Sequence, residues 1–136
     1  MFSKKIRIQF VDTDLTQRIH YSSIFRFFET LDHEFFKEIG YSYNKLFELG
    51  YELPRVHVEC NYMGNIVYDD ELVGQISISK IGNSSFTYYI QFFKGDQLAI
   101  KGSMTIVFIT TDGKKVAIPD FIRTELEKHL ETVTAK

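Results

Sequence analysis

Apolar and polar residues alternate at the start of the chain: Ile6, Ile8 and Phe10 fall between Lys5, Arg7 and Gln9. A period of two marks a half-buried strand and predicts one over about residues 4–12. The period then changes. Ile24, Phe27, Phe28, Leu31, Phe35 and Ile39 recur at helical spacing, and Phe25 and Phe36 widen the stripe. A helix is therefore expected over about residues 22–39, enclosed on most of its circumference, with Gly40 as its stop. A short helix over about 43–49 and four longer strands over about 54–67, 71–81, 85–95 and 98–110 follow. Asn83-Ser84 and Gly95-Asp96 punctuate the last three strands as hairpin turns. Pro119 opens a last helix over about 119–131.

The order is strand, long helix, four-stranded meander, terminal helix. It predicts an α+β fold in which an antiparallel five-stranded sheet is covered on one face by the long helix. There are only two prolines and no low-complexity linker, so residues 1–136 read as a single domain. The run Phe86-Thr87-Tyr88-Tyr89-Ile90-Gln91-Phe92-Phe93 is apolar or aromatic at nearly every position. One sheet face cannot hold both sets, which implies a second buried surface, most simply through oligomerisation.

Composition narrows the functional classes. With 44% apolar residues, 13 Phe and 8 Tyr, the chain can build one real core. A net charge of −2 argues against nucleic acid as the main partner. No run of 18 apolar residues exists, so no membrane span is expected. Cys60 stands alone and forms no intrachain disulfide, and Met1-Phe2-Ser3-Lys4-Lys5 lacks the apolar run of a signal peptide. Together these lead to an expectation of a cytoplasmic protein.

The candidate chemistry begins at Asp12-Thr13-Asp14. If the first strand continues, both carboxylates end its core-facing row, where they are costly without hydrogen bonds or a chemical role. Ile19-His20-Tyr21-Ser22-Ser23 then leads into the aromatic helix, so an acid lies within a few residues of a helix N-terminus. The acid can act as base or nucleophile, and the helix end offers free N–H groups to an oxyanion. For Asp14 the alternative is an aspartate that only satisfies backbone donors in a turn; Asp12 is expected to do so. His20 is either a pocket residue or a cap. His33 lacks the partner histidine of a zinc motif, because Lys37 stands four residues on, and no metal cluster is evident. His33 and His129 are expected at the surface and His57 in solvent or at a subunit contact, while Cys60 is expected as a core thiol. Glu29 and Glu34 are expected to be structural. The chain has no Gly-x-Ser-x-Gly elbow and no glycine-rich phosphate loop.

The run Asp12-Thr13-Asp14-Leu15-Thr16-Gln17-Arg18-Ile19-His20-Tyr21-Ser22-Ser23-Ile24-Phe25-Arg26-Phe27-Phe28-Glu29 resembles that of the hot-dog fold acyl-CoA thioesterases of the 4-hydroxybenzoyl-CoA thioesterase-like group. Tyr62-Met63-Gly64-Asn65-Ile66-Val67-Tyr68-Asp69-Asp70-Glu71-Leu72 is similar to that group's turn between strands, with Asn65 in place of its proline. Gln17 or Arg18 stands where the group usually carries glycine. The resemblance implies a hot-dog fold and a thioesterase acting on an acyl-CoA or acyl-carrier thioester, with CoA part of the substrate and no cofactor; the alternatives on the same fold are a non-catalytic acyl- or CoA-binding module and, behind it, a dehydratase. It makes Asp14 the catalytic carboxylate and the Tyr21 backbone N–H the oxyanion donor. Gln17 and His20 would then stand at the mouth of the site, and Phe25 and Phe28, with Tyr88 and Phe92, are candidates to line an acyl tunnel, the alternative being that these aromatics are simply core. The resemblance also implies a homodimer or homotetramer paired through the strand around residues 55–62, with the active site at the interface.

Overall fold

The computed structural model describes residues 1–131. Its main sheet has five antiparallel strands in the order β1-β4-β5-β6-β3. These are β1 (Phe2–Arg7), β3 (Arg55–Tyr62), β4 (Glu71–Ile81), β5 (Ser85–Lys94) and β6 (Gln97–Val107). A two-stranded ribbon pairs β2 (Tyr51–Glu52) with β7 (Ile109–Thr110). The helices are α1 (Ser23–Glu38), α2 (Tyr43–Glu48) and α3 (Asp120–Glu127). The hot-dog arrangement expected from the sequence is present: a long helix lies on one face of a five-stranded antiparallel sheet.

The core follows the two periods. From α1 come Ile24, Phe27, Phe28, Leu31, Phe35 and Phe36. They meet alternate residues of the strands: Leu72, Ile76 and Ile78 of β4, Phe86, Tyr88, Ile90 and Phe92 of β5, and Ile100, Met104 and Ile106 of β6. The stripe on α1 is wide because the sheet wraps around it, and Phe28 stacks on Phe92 with ring centroids 6.1 Å apart. Gly102 makes this approach possible. A Cβ there would lie 2.3 Å from the Glu59 carbonyl oxygen and 2.8 Å from Cζ of Phe28. At its C-terminus α1 stops as the glycine suggests. Gly40 takes φ +93°, its N–H bonds to Lys37 O, and the Tyr41 N–H reaches back to Phe36 O, which completes a Schellman motif.

Several expectations need correction. The first strand ends at Arg7, and the chain turns through a 3₁₀ segment at Phe10–Asp12. Asp12 and Asp14 therefore do not share a strand face: Asp12 is buried and Asp14 is exposed. The fourth of the expected strands breaks after Val107, where Phe108 enters the core and β7 joins the ribbon. The last helix ends at Glu127, and Pro119 is its N-cap residue. Beyond it the chain runs beside β4. The Ile78 N–H bonds to His129 O and the Glu131 N–H to Ile78 O, continuing the β4 edge past the end of β1. This explains why His129 is half-buried, with its ring edge-on to Phe35 at 4.9 Å, and not on the surface. Burial holds its pKa below the ordinary histidine value.

Gly102→Ala should destabilise the fold by about 1–3 kcal/mol, because the new methyl meets backbone and an aromatic ring that cannot both retreat. Urea unfolding should show a lower midpoint with an unchanged slope.

Candidate active site

Residues 13–19 form a tight hairpin. Thr13 pairs with Ile19, the Asp14 N–H bonds to Arg18 O, and the Gln17 N–H bonds to Asp14 O. This is the pattern of a three-residue loop in which a turn is followed by one left-handed residue. Gln17 is that residue, with φ +65°. The glycine usual in the resembling group thus has a local reason: the position demands a left-handed backbone, and Gln17 adopts it with strain.

Asp14 sits at the head of this loop. Its Oδ1 accepts hydrogen bonds from the Thr16 N–H (2.8 Å) and the Thr16 hydroxyl (2.6 Å). Among the described residues nothing bonds to its Oδ2, which faces solvent. The two Thr16 bonds hold its carboxyl below the ordinary value, with smaller help from the Arg18 guanidinium. It is thus a fully ionised, half-satisfied carboxylate on a fixed loop.

Asp12 holds that loop against the helix. Its side chain accepts from the Gln9 N–H (2.7 Å) and forms an ion pair with Arg26 on the first turn of α1. Its backbone carbonyl accepts from the His20 N–H (2.8 Å) and the Ser23 hydroxyl (2.9 Å). As expected, Asp12 bonds backbone in the turn. The same bonds bring the start of α1 to the Asp14 loop.

The His20 ring sits over this junction. Its Nδ1 accepts from the Ser22 N–H (3.2 Å) and pairs with the Ser22 hydroxyl (2.8 Å), which fixes the residue just before α1, while the ring stacks on Tyr21 at 4.4 Å. No hydrogen bond from the Tyr21 N–H is found among the described residues. The Tyr21 carbonyl accepts a bond from the Tyr62 hydroxyl, which ties this peptide to β3.

Phe25 and Phe28 line a cleft of about 290 Å³ with Glu29, Arg55, Val58 and Met104. Phe25 is 44% exposed and forms the wall; Phe28 belongs to the core and forms the floor. Gln17 lies in the loop and does not line this cleft. Glu29, for which the sequence favours a structural role over a part in the site, does line it. Beyond the cleft, Asp32 is fully buried. It accepts from Tyr43 (2.7 Å) and Tyr88 (2.6 Å) and pairs with Arg55. Burial, reinforced by the Asp32 charge, keeps both phenols protonated far above their ordinary value. This network was missed from the sequence. A signal existed: Asp32 occupies the apolar face of α1, four residues from both Phe28 and Phe36.

The thioesterase superfamily model matches residues 16–101, and the chain belongs to that superfamily. A relative from Aquifex aeolicus (strain VF5) named "Putative esterase" is 30% identical over 118 residues, covering 87% of this chain and 91% of its own. A crystal structure of a hypothetical protein from Aquifex aeolicus superposes with a TM-score of 0.89 at 28% identity, over 93% of this chain and 99% of that one. The 1,4-dihydroxy-2-naphthoyl-CoA thioesterase of Synechocystis gives a TM-score of 0.86 over 92% of this chain and 94% of its own. At 16% identity that likeness speaks for the fold alone. Membership supports thioester hydrolysis as the class of reaction. No helix among the described residues is long and apolar enough to cross a membrane.

Gln17→Gly should stabilise the protein by about 0.5–1 kcal/mol, since relief of the left-handed strain outweighs the extra chain entropy of glycine. A raised denaturant midpoint is the expected outcome; Gln17→Ala should gain nothing, because it keeps the strain.

Proposed function

We propose that the protein hydrolyses an acyl-CoA or acyl-carrier thioester to the free acid and thiol, with Asp14 as the catalytic carboxylate. The observation that carries the reading is the state of Asp14. One oxygen is fixed by Thr16, the other is open, and the loop is tied through Asp12 to the start of α1. Superfamily membership supports the reaction class.

In this reading the thioester carbonyl lies at the N-terminus of α1. The Tyr21 N–H donates to its oxygen, and the helix dipole favours the charge that develops there. Asp14 Oδ2 attacks the carbonyl carbon, the C–S bond breaks, and the thiolate departs to be protonated by solvent. Water then hydrolyses the acyl-aspartyl anhydride. The alternative, Asp14 as general base on a water that attacks the same carbonyl, uses the same open oxygen and the same oxyanion donor. His20 and Gln17 flank the mouth, and Phe25 and Phe28 meet the acyl group. The free edge of β3 supports pairing of two chains into one continuous sheet: Val56 is 60% and Val58 39% exposed there. The lone half-buried Cys60 suits a reducing compartment such as the cytoplasm.

Thiol release from a panel of acyl-CoAs tests the reading. Asp14→Asn should lower kcat by about a hundredfold or more with little change in KM. A mutant that keeps its turnover would remove Asp14 from the mechanism. The pH profile adds a second check. Because the folded pKa is lowered, Asp14 stays ionised to below 3.8, and activity should persist down through that value before it falls. Thr16→Ala removes one of the two bonds that lower the pKa, so its acid limb should move to higher pH.

A further inference from the structure

We infer that Arg55, anchored on the buried Asp32, closes the far end of the apolar cleft and sets the length of acyl chain that the protein accepts. This rests on the thioesterase reading above. Three contacts show that β3 runs alongside α1 in the opposite sense. Tyr62, at the end of β3, bonds the Tyr21 carbonyl just ahead of the helix. Val58, in the middle of β3, shares the cleft with Phe25 and Glu29. Arg55, at the start of β3, reaches Asp32. The cleft is therefore bounded by the helix N-terminus at one end and by an ion pair at the other. From Ser23 to Asp32 the helix rises about 14 Å. At about 290 Å³ the cleft is near the lower limit of ligand pockets. Its floor is Phe28 and its walls are Phe25, Val58 and Met104.

Arg55 is a rigid stop. It pairs with Asp32, donates from Nη1 to the Leu53 carbonyl (2.8 Å), and lies 4.8 Å over the Tyr43 ring. Tyr43 and Tyr88 hold Asp32 in turn. Moving the guanidinium aside would leave a fully buried carboxylate without its cation, a costly state. An alkyl chain that reaches Arg55 can neither displace it nor offer it a hydrogen bond, so further methylenes find no apolar surface. The pair is buried on its Asp32 side only, and the Arg55 side chain stays 30% exposed at the end of the cleft. The use of the pair here is positional.

The test is kcat/KM for saturated even-numbered acyl-CoAs from acetyl to palmitoyl. The wild type should improve with length, by about fourfold per methylene buried, and then fall once the chain meets Arg55. The double substitution Arg55→Met with Asp32→Asn removes both charges together and leaves neither unpaired. It should move the fall to longer chains and raise the long-to-short ratio at least tenfold. Val58→Phe narrows the cleft from β3 without touching the network, and should move the fall to shorter chains; because β3 is also the proposed pairing edge, its oligomeric state is measured beside the wild type. General damage to the fold would lower all lengths alike and leave the ratios unchanged. If the double variant does not fold, Val58→Phe decides: an unaltered profile overturns the inference. A length profile that is flat in the wild type, or the same in the variants, also overturns it and leaves the thioesterase reading standing. Failure of that reading looks different: no wild-type turnover at any length.

Discussion

An aromatic helix laid on the apolar face of a sheet that would otherwise meet water is the packing on which the whole molecule depends. Six apolar side chains of α1 enter that face, and the closest approach, Phe28 over Gly102, exists only because the sheet carries no side chain there. Full burial along the inner face also makes any polar group inside it expensive. The two buried acids among the described residues, Asp12 and Asp32, are accordingly satisfied in full. Asp12 holds the start of the helix through Arg26, the Ser23 hydroxyl and the His20 N–H, while Asp32 holds its middle through two phenols and a guanidinium. No buried side-chain polar atom among the described residues lacks a partner. The helix is thus fixed in rotation as well as position, which the proposed placement of a thioester carbonyl at its N-terminus requires.

In the proposed mechanism Asp14 combines a structural and a chemical role in one side chain. The two bonds from Thr16 are those of an ordinary turn aspartate, and they also keep the carboxylate charged and aimed. Each function uses a different oxygen. Binding of a thioester over the open oxygen would remove its water and make it more nucleophilic without disturbing the loop.

The fold was legible because its two periods are clean. Ile6 and Ile8, the α1 stripe and Gly40 each have one local meaning, and the structure agrees with them. The failures are equally local. Extending the alternation from Phe10 to Asp14 assumed that the strand continues, yet the backbone turns at Gln9 and sends the two aspartates to opposite environments. The end of α3 was misjudged because an unpaired stretch of β4 edge captures residues 129–131, a tertiary effect that no helical period records. At the site, the acid and the helix N-terminus could be read from sequence because they are neighbours in the chain. The cleft could be read only in half. Phe25 and Phe28 follow from the helix, but Arg55, Val58 and Met104 arrive from strands far along the chain, and their meeting with α1 is a product of sheet order.

The floor of the cleft and its walls differ in their freedom to vary. Phe28 rests on backbone at Gly102, so no larger residue fits beneath it and no smaller one can replace it without opening a void in the core. Phe25 and Val58 stand at the margin, where a change of size costs little. A lineage descended from this protein could therefore acquire new substrates through a handful of rim positions while the sheet and helix beneath remain as they are. Diversification would leave its record along the rim and almost none in the interior.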